Sequence, residues 1–266
     1  MASSRITGRH PADTILAWLG VALMALCFAI EQWNTRFDRP VSASAKLQPF
    51  GVVVIDPGHG GQDSGAMVGG VAEKDLTLDL AERIDRLLEQ AGIATVMTRM
   101  DDSYISLAER AAMTNRISAC IMVSIHFNEG NKPVSNGIET YYADHQVTPG
   151  GPIFSWLPFL ERASGQKPNI ESQNLASSVQ EALIARTNAF NRGTKAEQFF
   201  VIANVRHPAV LVEGGFLSNK EDSQKLTSAE YREKMAIAIS EGILRYRDAL
   251  QQRQTTLAVS SLRTGE

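Results

Sequence analysis

Two histidines and two glutamates in this 266-residue chain stand where a sheet-based fold would gather them. His59 lies four residues past the β-branched run that ends at Ile55, His126 directly follows the apolar run that ends at Ile125, and Glu213 directly follows the run that ends at Val212. Open α/β sheets collect functional groups just beyond the carboxyl ends of their strands, so parallel strands here would project all three from one edge. Glu73 opens a stretch of helical periodicity and would reach the same edge. Two imidazoles and one carboxylate that leave a coordination position open are a recurrent catalytic zinc site, and a second, unligated carboxylate then serves as general base. Such an ion lowers the pKa of its bound water to about 7 and polarises a carbonyl, while the base takes the water proton and passes it to a departing nitrogen. Cleavage of an unreactive amide requires this combination.

The four residues must also be weighed against purely structural explanations. A histidine after a glycine-rich turn commonly only hydrogen-bonds its own loop, and Glu73 would complement the positive end of a helix. His126 is harder to explain in that way, because a polar ring after a buried strand needs a partner. No stabilising role is evident for Glu213, set between an apolar strand and Gly214-Gly215. The run Asp56-Pro57-Gly58-His59-Gly60-Gly61 invites a phosphate-loop reading, yet it matches neither G-x-G-x-x-G nor the P-loop, and no Lys-Ser/Thr follows it. His145 and His207 read as ordinary surface residues, and His10 falls outside the folded part.

The elements that must position these groups alternate along the chain. The pattern predicts strands at residues 52–55, 95–98, 120–125, 138–142, 199–202 and 209–212. It predicts helices from Glu73, through Leu76, Leu80, Ile84, Leu87 and Leu88 to a stop at Gly92, and over residues 172–186. Ser106 and Glu109 have capping-box spacing and open a further helix to residue 115, and Thr227 with Glu230 does the same for a last one through Met235, Ile239, Ile243, Tyr246 and Leu250. Continuous apolar strands alternating with helices indicate an α/β fold, a single domain whose mostly parallel central sheet is covered by helices on both faces. The composition, 44% hydrophobic and 21% charged, excludes wholesale disorder and fibrous classes. A net charge of -3 supplies no broad basic surface, so nucleic acid is not an expected partner. The two cysteines, Cys27 and Cys120, fall in segments too different to form one disulfide.

Several motifs in order, IDPGHGGQDSGA, EK, TR, SIHFN and LVEGGFLSN, resemble the zinc-dependent N-acetylmuramoyl-L-alanine amidases that cut peptidoglycan. The resemblance covers residues 51–248. It implies one zinc ion held by His59, Glu73 and His126, with Glu213 as the catalytic carboxylate. It further implies the bond cut, the amide joining the lactyl group of N-acetylmuramic acid to L-alanine of the stem peptide. Two alternatives stand beside it: a zinc peptidase cutting within the stem peptide, and a non-catalytic cell-wall-binding protein on the same fold.

Ahead of the catalytic domain, residues 49–250, the chain reads as a short N-terminus (1–13), an uncharged apolar helix (14–30) and a polar linker (31–48). The apolar helix reads as an uncleaved membrane anchor in preference to a signal peptide, because the nearest small-residue cleavage pattern, Ala43-Ser44-Ala45, lies far beyond it. A cell-wall substrate would put residues 1–13 in the cytoplasm and the domain outside the membrane, whether anchored or, after cleavage, secreted. Residues 145–171 form a long insertion, and residues 251–266 a polar tail that reads as frayed. Two readings of the insertion stand: a lid packed on the domain, or an inhibitory cover with Glu161 as its blocking carboxylate. The second follows from resemblance to division-linked members whose helical insertion covers the zinc until an activator protein removes it.

Overall fold

The computed structural model describes residues 50–130, 134–146 and 169–263, with side chains described to residue 256 and Met24 standing alone before them. Met24 belongs to a separate unit, Met1–Leu47; everything else described belongs to the unit Gln48–Glu266. The apolar segment 14–30 (Met24 apart), the linker and residues 147–168, including Glu161, lie outside the described residues. Among the described residues no helix is long and apolar enough to cross a membrane.

A six-stranded sheet forms the centre. Its strands are β1 (Val52–Pro57), β4 (Ala94–Met97), β5 (Cys120–Asn128), β6 (Ile138–Tyr142), β7 (Asn191–Ala196) and β8 (Ala209–Phe216), in the order β4-β1-β5-β8-β6-β7. Strands β4, β1, β5 and β8 run parallel, as the continuous apolar runs predict; β6 runs antiparallel to β8, with β7 parallel to β6. Side chains alternate between two faces. Val53, Ile55, Ile121, Val123, Ile125, Val210 and Val212 pack under the helices α1 (Glu73–Gln90), α3 (Ile170–Thr187) and α6 (Ala229–Arg263). Val54, Cys120, Met122, Ala209 and Leu211 face the other way, towards α2 (Leu107–Asn115) and the short α4 (Phe200–Ala203). His126 and Glu213 are in phase with this second set, so they rise from the carboxyl edge on the α2/α4 face.

The capping box of α2 forms as predicted, Ser106 Oγ accepting from the Glu109 backbone and Glu109 reaching back to the Ser106 backbone. Several expectations fail for local reasons. Residues 199–202, expected as a strand, are mostly the one-turn helix α4, which buries Val201 and Ile202; four apolar residues carry too little periodicity to separate the two states. The glycine-rich stretch holds a two-stranded hairpin, β2 (Met67–Val68) and β3 (Val71–Ala72), turned by Gly69 and Gly70. Thr227 does not cap the last helix but ends a preceding one, α5 (Lys220–Thr227), and Ser228 Oγ accepts from the Tyr231 backbone where α6 begins. Helix α6 continues to Arg263, through the stretch that reads as a frayed tail.

The loop after β1 is fixed by two buried guanidinium groups. Arg110 donates to Asp56 Oδ1 (2.7 Å), Pro57 O (2.6 Å) and His59 O (2.6 Å). Arg99 donates to Pro57 O and Gly58 O at 3.1 and 2.8 Å. Three successive carbonyls are thereby held, and Asp56 also accepts from Thr98 and Ser124 hydroxyls at 2.6 and 2.7 Å. A surface ion pair is worth little, but Asp56 and Arg110 are 1% and 3% exposed, and stranding one buried partner is costly. Arg110→Gln should therefore lose about 3–5 kcal/mol in urea unfolding; a loss below about 1 kcal/mol would mean that the pair behaves as a surface contact.

Candidate active site

The backbone brings three of the four expected residues to one point. His59 Nε2, His126 Nδ1 and Glu73 Oε1 converge, the carboxylate oxygen lying 3.1 Å from each nitrogen and the nitrogens 3.2 Å apart. Glu73 opens α1 without a side-chain cap and is buried, its Oε1 accepting from the Phe127 backbone and its Oε2 from the Ala66 backbone, both at 2.9 Å. Two amides thus fix the carboxylate so that one oxygen faces the imidazoles. Burial alone would push the Glu73 carboxyl up, but His126 and His59 override it and hold it far below the usual carboxylate range. Burial likewise opposes charge on His59, yet Glu73 and then Asp63 raise its pKa on balance.

Glycines make room for this packing. A Cβ on Gly58 would stand 2.3 Å from the His126 ring, and one on Gly65 would stand 2.5 Å from Glu73 Oε2 and 2.7 Å from His59 Cδ2. Gly65 also has φ +63°, where L side chains are strained. His59 itself sits at φ +60°, held there by the Arg110 bond to its carbonyl. On its far side, Nδ1 lies 2.9 Å from Asp63 Oδ2, within ion-pair range, although the carboxylate is off the ring N–H direction and makes no straight hydrogen bond.

This donor set fits a divalent zinc ion. The three lone-pair atoms lie within 4.8 Å of one another. Their two nitrogens and one oxygen are the ligand types zinc takes, and three protein ligands leave the open position of a catalytic site. The carboxylate beyond His59 is a partner of the kind that orients metal-bound histidines.

Glu213 pairs in register with His126 across β5 and β8, which places it beside the trio rather than within it. Its Oε2 is closed to solvent and meets no hydrogen-bond partner among the described residues. Burial first, then the charges of Glu73 and Glu139, push its carboxyl well above the ordinary range. His145 pairs with Gln198 and His207 is half-buried, and neither is among the converging metal-ligand atoms. The sequence pattern assigns no role to Asp63, Arg99, Arg110 or Glu139, although Arg99 stands in the TR motif. Asp63 stands four residues after His59 inside the quoted motif, which was a usable signal; Glu139 sits in a strand read only for its apolar residues.

The family model described as N-acetylmuramoyl-L-alanine amidase matches residues 53–245, and the chain belongs to that family of amide hydrolases. The match spans the sheet, the helices and all four site residues. Among curated proteins, the amidase LytC of Bacillus subtilis is 36% identical over 194 residues, 73% of this chain and 35% of that longer protein. The crystal structure of an N-acetylmuramoyl-L-alanine amidase from Clostridium difficile 630 superposes with TM-score 0.63 at 34% identity, covering 75% of this chain and 98% of that one. The CwlD amidase of Clostridioides difficile, solved in complex with the GerS lipoprotein, gives TM-score 0.64 at 27% identity over 74% of this chain and 98% of that one.

The elevated Glu213 carboxyl has a stability consequence in the metal-free protein. A carboxyl whose folded pKa lies above its unfolded value of 4.5 contributes stability below that unfolded value and loses it as pH rises through the folded one. Glu213→Gln mimics the protonated form. Metal-free Glu213→Gln should therefore melt close to metal-free wild type at pH 4.5 and above it at pH 8. Equal melting at both values would show that Glu213 carries no buried-charge penalty.

Proposed function

We propose that this amidase hydrolyses the amide between the lactyl group of N-acetylmuramic acid and L-alanine of the peptidoglycan stem peptide. The observation that carries the reading is the convergence of His59, Glu73 and His126 beside Glu213, whose Oε2 is closed to solvent and has no hydrogen-bond partner among the described residues. In this proposal the trio holds one zinc ion, which when bound polarises the scissile carbonyl and lowers the pKa of a water. Ala66 and Phe127 backbone amides keep the Glu73 carboxylate aimed at the ion, the Arg110 bond holds the His59 backbone, and the Asp63 carboxylate lies 2.9 Å from the far ring nitrogen of His59. Glu213 is the general base: it takes the water proton at its carboxylate and returns it to the departing L-alanine nitrogen. In the metal-free protein burial and the charges of Glu73 and Glu139 raise its proton affinity, the direction that a group accepting a proton requires. The low pKa of Glu73, by contrast, suits a permanent ligand.

The domain in this reading acts outside the cytoplasm, tethered by residues 14–30. Residues 145–171 are the place where an activator protein would engage; CwlD, a relative in fold, was solved with a lipoprotein partner.

Glu213→Gln should lower kcat by about 10²- to 10⁴-fold while zinc content by elemental analysis stays near one ion per chain. Retained activity would remove Glu213 as the base, and lost zinc would make it a ligand. Mass spectrometry of digested muropeptides should reveal intact stem peptides with a free L-alanine amine, and none after a chelator. Cleavage within the stem peptide would instead establish a zinc peptidase, and no chelator-sensitive product a binding protein.

A further inference from the structure

A row of polar side chains continues past the catalytic carboxylate towards the open edge of the sheet. Glu213 pairs in register with His126 on one side and with Glu139 of the antiparallel β6 on the other. Glu139 is buried and takes an unusual number of partners. Arg192 Nε donates to its Oε2 at 2.7 Å, Lys195 Nζ meets the same oxygen, and Asn128 Nδ2 and Tyr141 Oη donate to its Oε1 at 3.0 and 2.8 Å. Both cations come from β7, the edge strand, which no further strand covers among the described residues.

One cation neutralises one carboxylate, so the second is surplus. Burial pushes the Glu139 carboxyl up, but Lys195 and Arg192 outweigh that and keep it low, so two cations share this one carboxylate. Glu139, 2% exposed, needs one cation for stability, but a second cation on the same oxygen adds little, the Arg192 and Lys195 side chains being 29% and 38% exposed. Neither cation has used up its donors. Arg192 makes its short bond through Nε, with Nη1 reaching Asn136 O at 3.4 Å, and among the described residues Lys195 bonds only Glu139. Both are nonetheless held in place, the Arg192 guanidinium 4.9 Å over the Phe216 ring and Lys195 Nζ 5.6 Å over the Tyr141 ring. Donors that are fixed, half-exposed and in excess of their internal partner describe a seat for an external anion.

We propose that Arg192 and Lys195 form a carboxylate-binding subsite for the peptide portion of the substrate. The inference rests on the amidase reading, because that reaction leaves a peptide on the amine side of the scissile bond. Strands in a sheet lie about 4.8 Å apart, so β7 is about 10 Å from β8 and Glu213. An extended peptide rises about 3.3 Å per residue, and the cations are therefore met about three residues beyond the bond cut. Charged carboxylates on that stretch would find the spare donors of a guanidinium and an ammonium, with Glu139 behind them fixing their position.

The test uses the full-length zinc-loaded protein and two synthetic N-acetylmuramoyl tripeptides, identical except that their carboxylates are free in one and converted to primary amides in the other. Wild type should favour the free form through KM. Lys195→Gln should raise KM for that form about tenfold with kcat within about twofold, leave the amidated form unaffected, and be rescued by Lys195→Arg. Arg192→Gln should act in the same direction, with melting curves to verify its fold. An equal loss on both substrates would reduce the two cations to structural partners of Glu139 and overturn the subsite. Wild type that hydrolyses both forms with equal KM would overturn it too while leaving the amidase reading intact. Hydrolysis of neither by the wild type would overturn both.

Discussion

Three lone-pair donors pressed to about 3 Å from one another are an unfavourable arrangement unless a proton or a cation sits among them, and the rest of the molecule is built to enforce that arrangement. Glu73 cannot turn away because two backbone amides hold its oxygens. His59 cannot relax because Arg110 grips its carbonyl while its backbone stays left-handed. His126 cannot swing because its ring lies against the Cα of Gly58. Each restraint comes from a different element, the β1 loop, the hairpin before α1, α2 and β5, so the site is specified by the whole parallel half of the sheet. The buried Asp56–Arg110 pair, whose own contribution to net stability a hydrophobic substitute could match, is best understood as the device that locks this geometry.

Opposite environments separate two glutamates of identical chemistry. Glu73, though buried, faces two imidazoles and backbone donors and is held as a permanent anion. Glu213 faces burial and two neighbouring carboxylates, with one oxygen left unpartnered among the described residues, and its affinity for a proton rises. Such divergence between adjacent carboxyl groups is how one site divides the work of a ligand from that of an acid–base group. Glu139 links the two sides of the site, since it raises the proton affinity of Glu213 and anchors the two cations on β7.

Much of this was legible because it follows from local pattern. Apolar runs ending at Ile55, Ile125 and Val212 mark strands that in fact continue to Pro57, Asn128 and Phe216, so His126 and Glu213 lie within their strands. Parallel pairing still brings them to the carboxyl-terminal side with His59. The glycines around His59 and the ordered motifs made the family readable. What escaped was non-local or too short. The antiparallel direction of β6 leaves no mark in five residues, so the Glu139–Glu213 neighbourhood could not be seen. Arg110 lies 54 residues from Asp56, and only the packed fold reveals their contact. Residues 200–203 are apolar enough for a strand, yet one helical turn buries them better, and hydrophobicity alone does not choose between the two.

The central claim is that His59, Glu73 and His126 together hold one zinc ion with a position left open for chemistry. X-ray absorption at the zinc edge of the purified protein addresses it directly. The account predicts two imidazole nitrogens and a carboxylate oxygen at about 2.0–2.2 Å with one further oxygen, and loss of one imidazole in His126→Ala. A shell with sulfur, or one unchanged by that substitution, would contradict it.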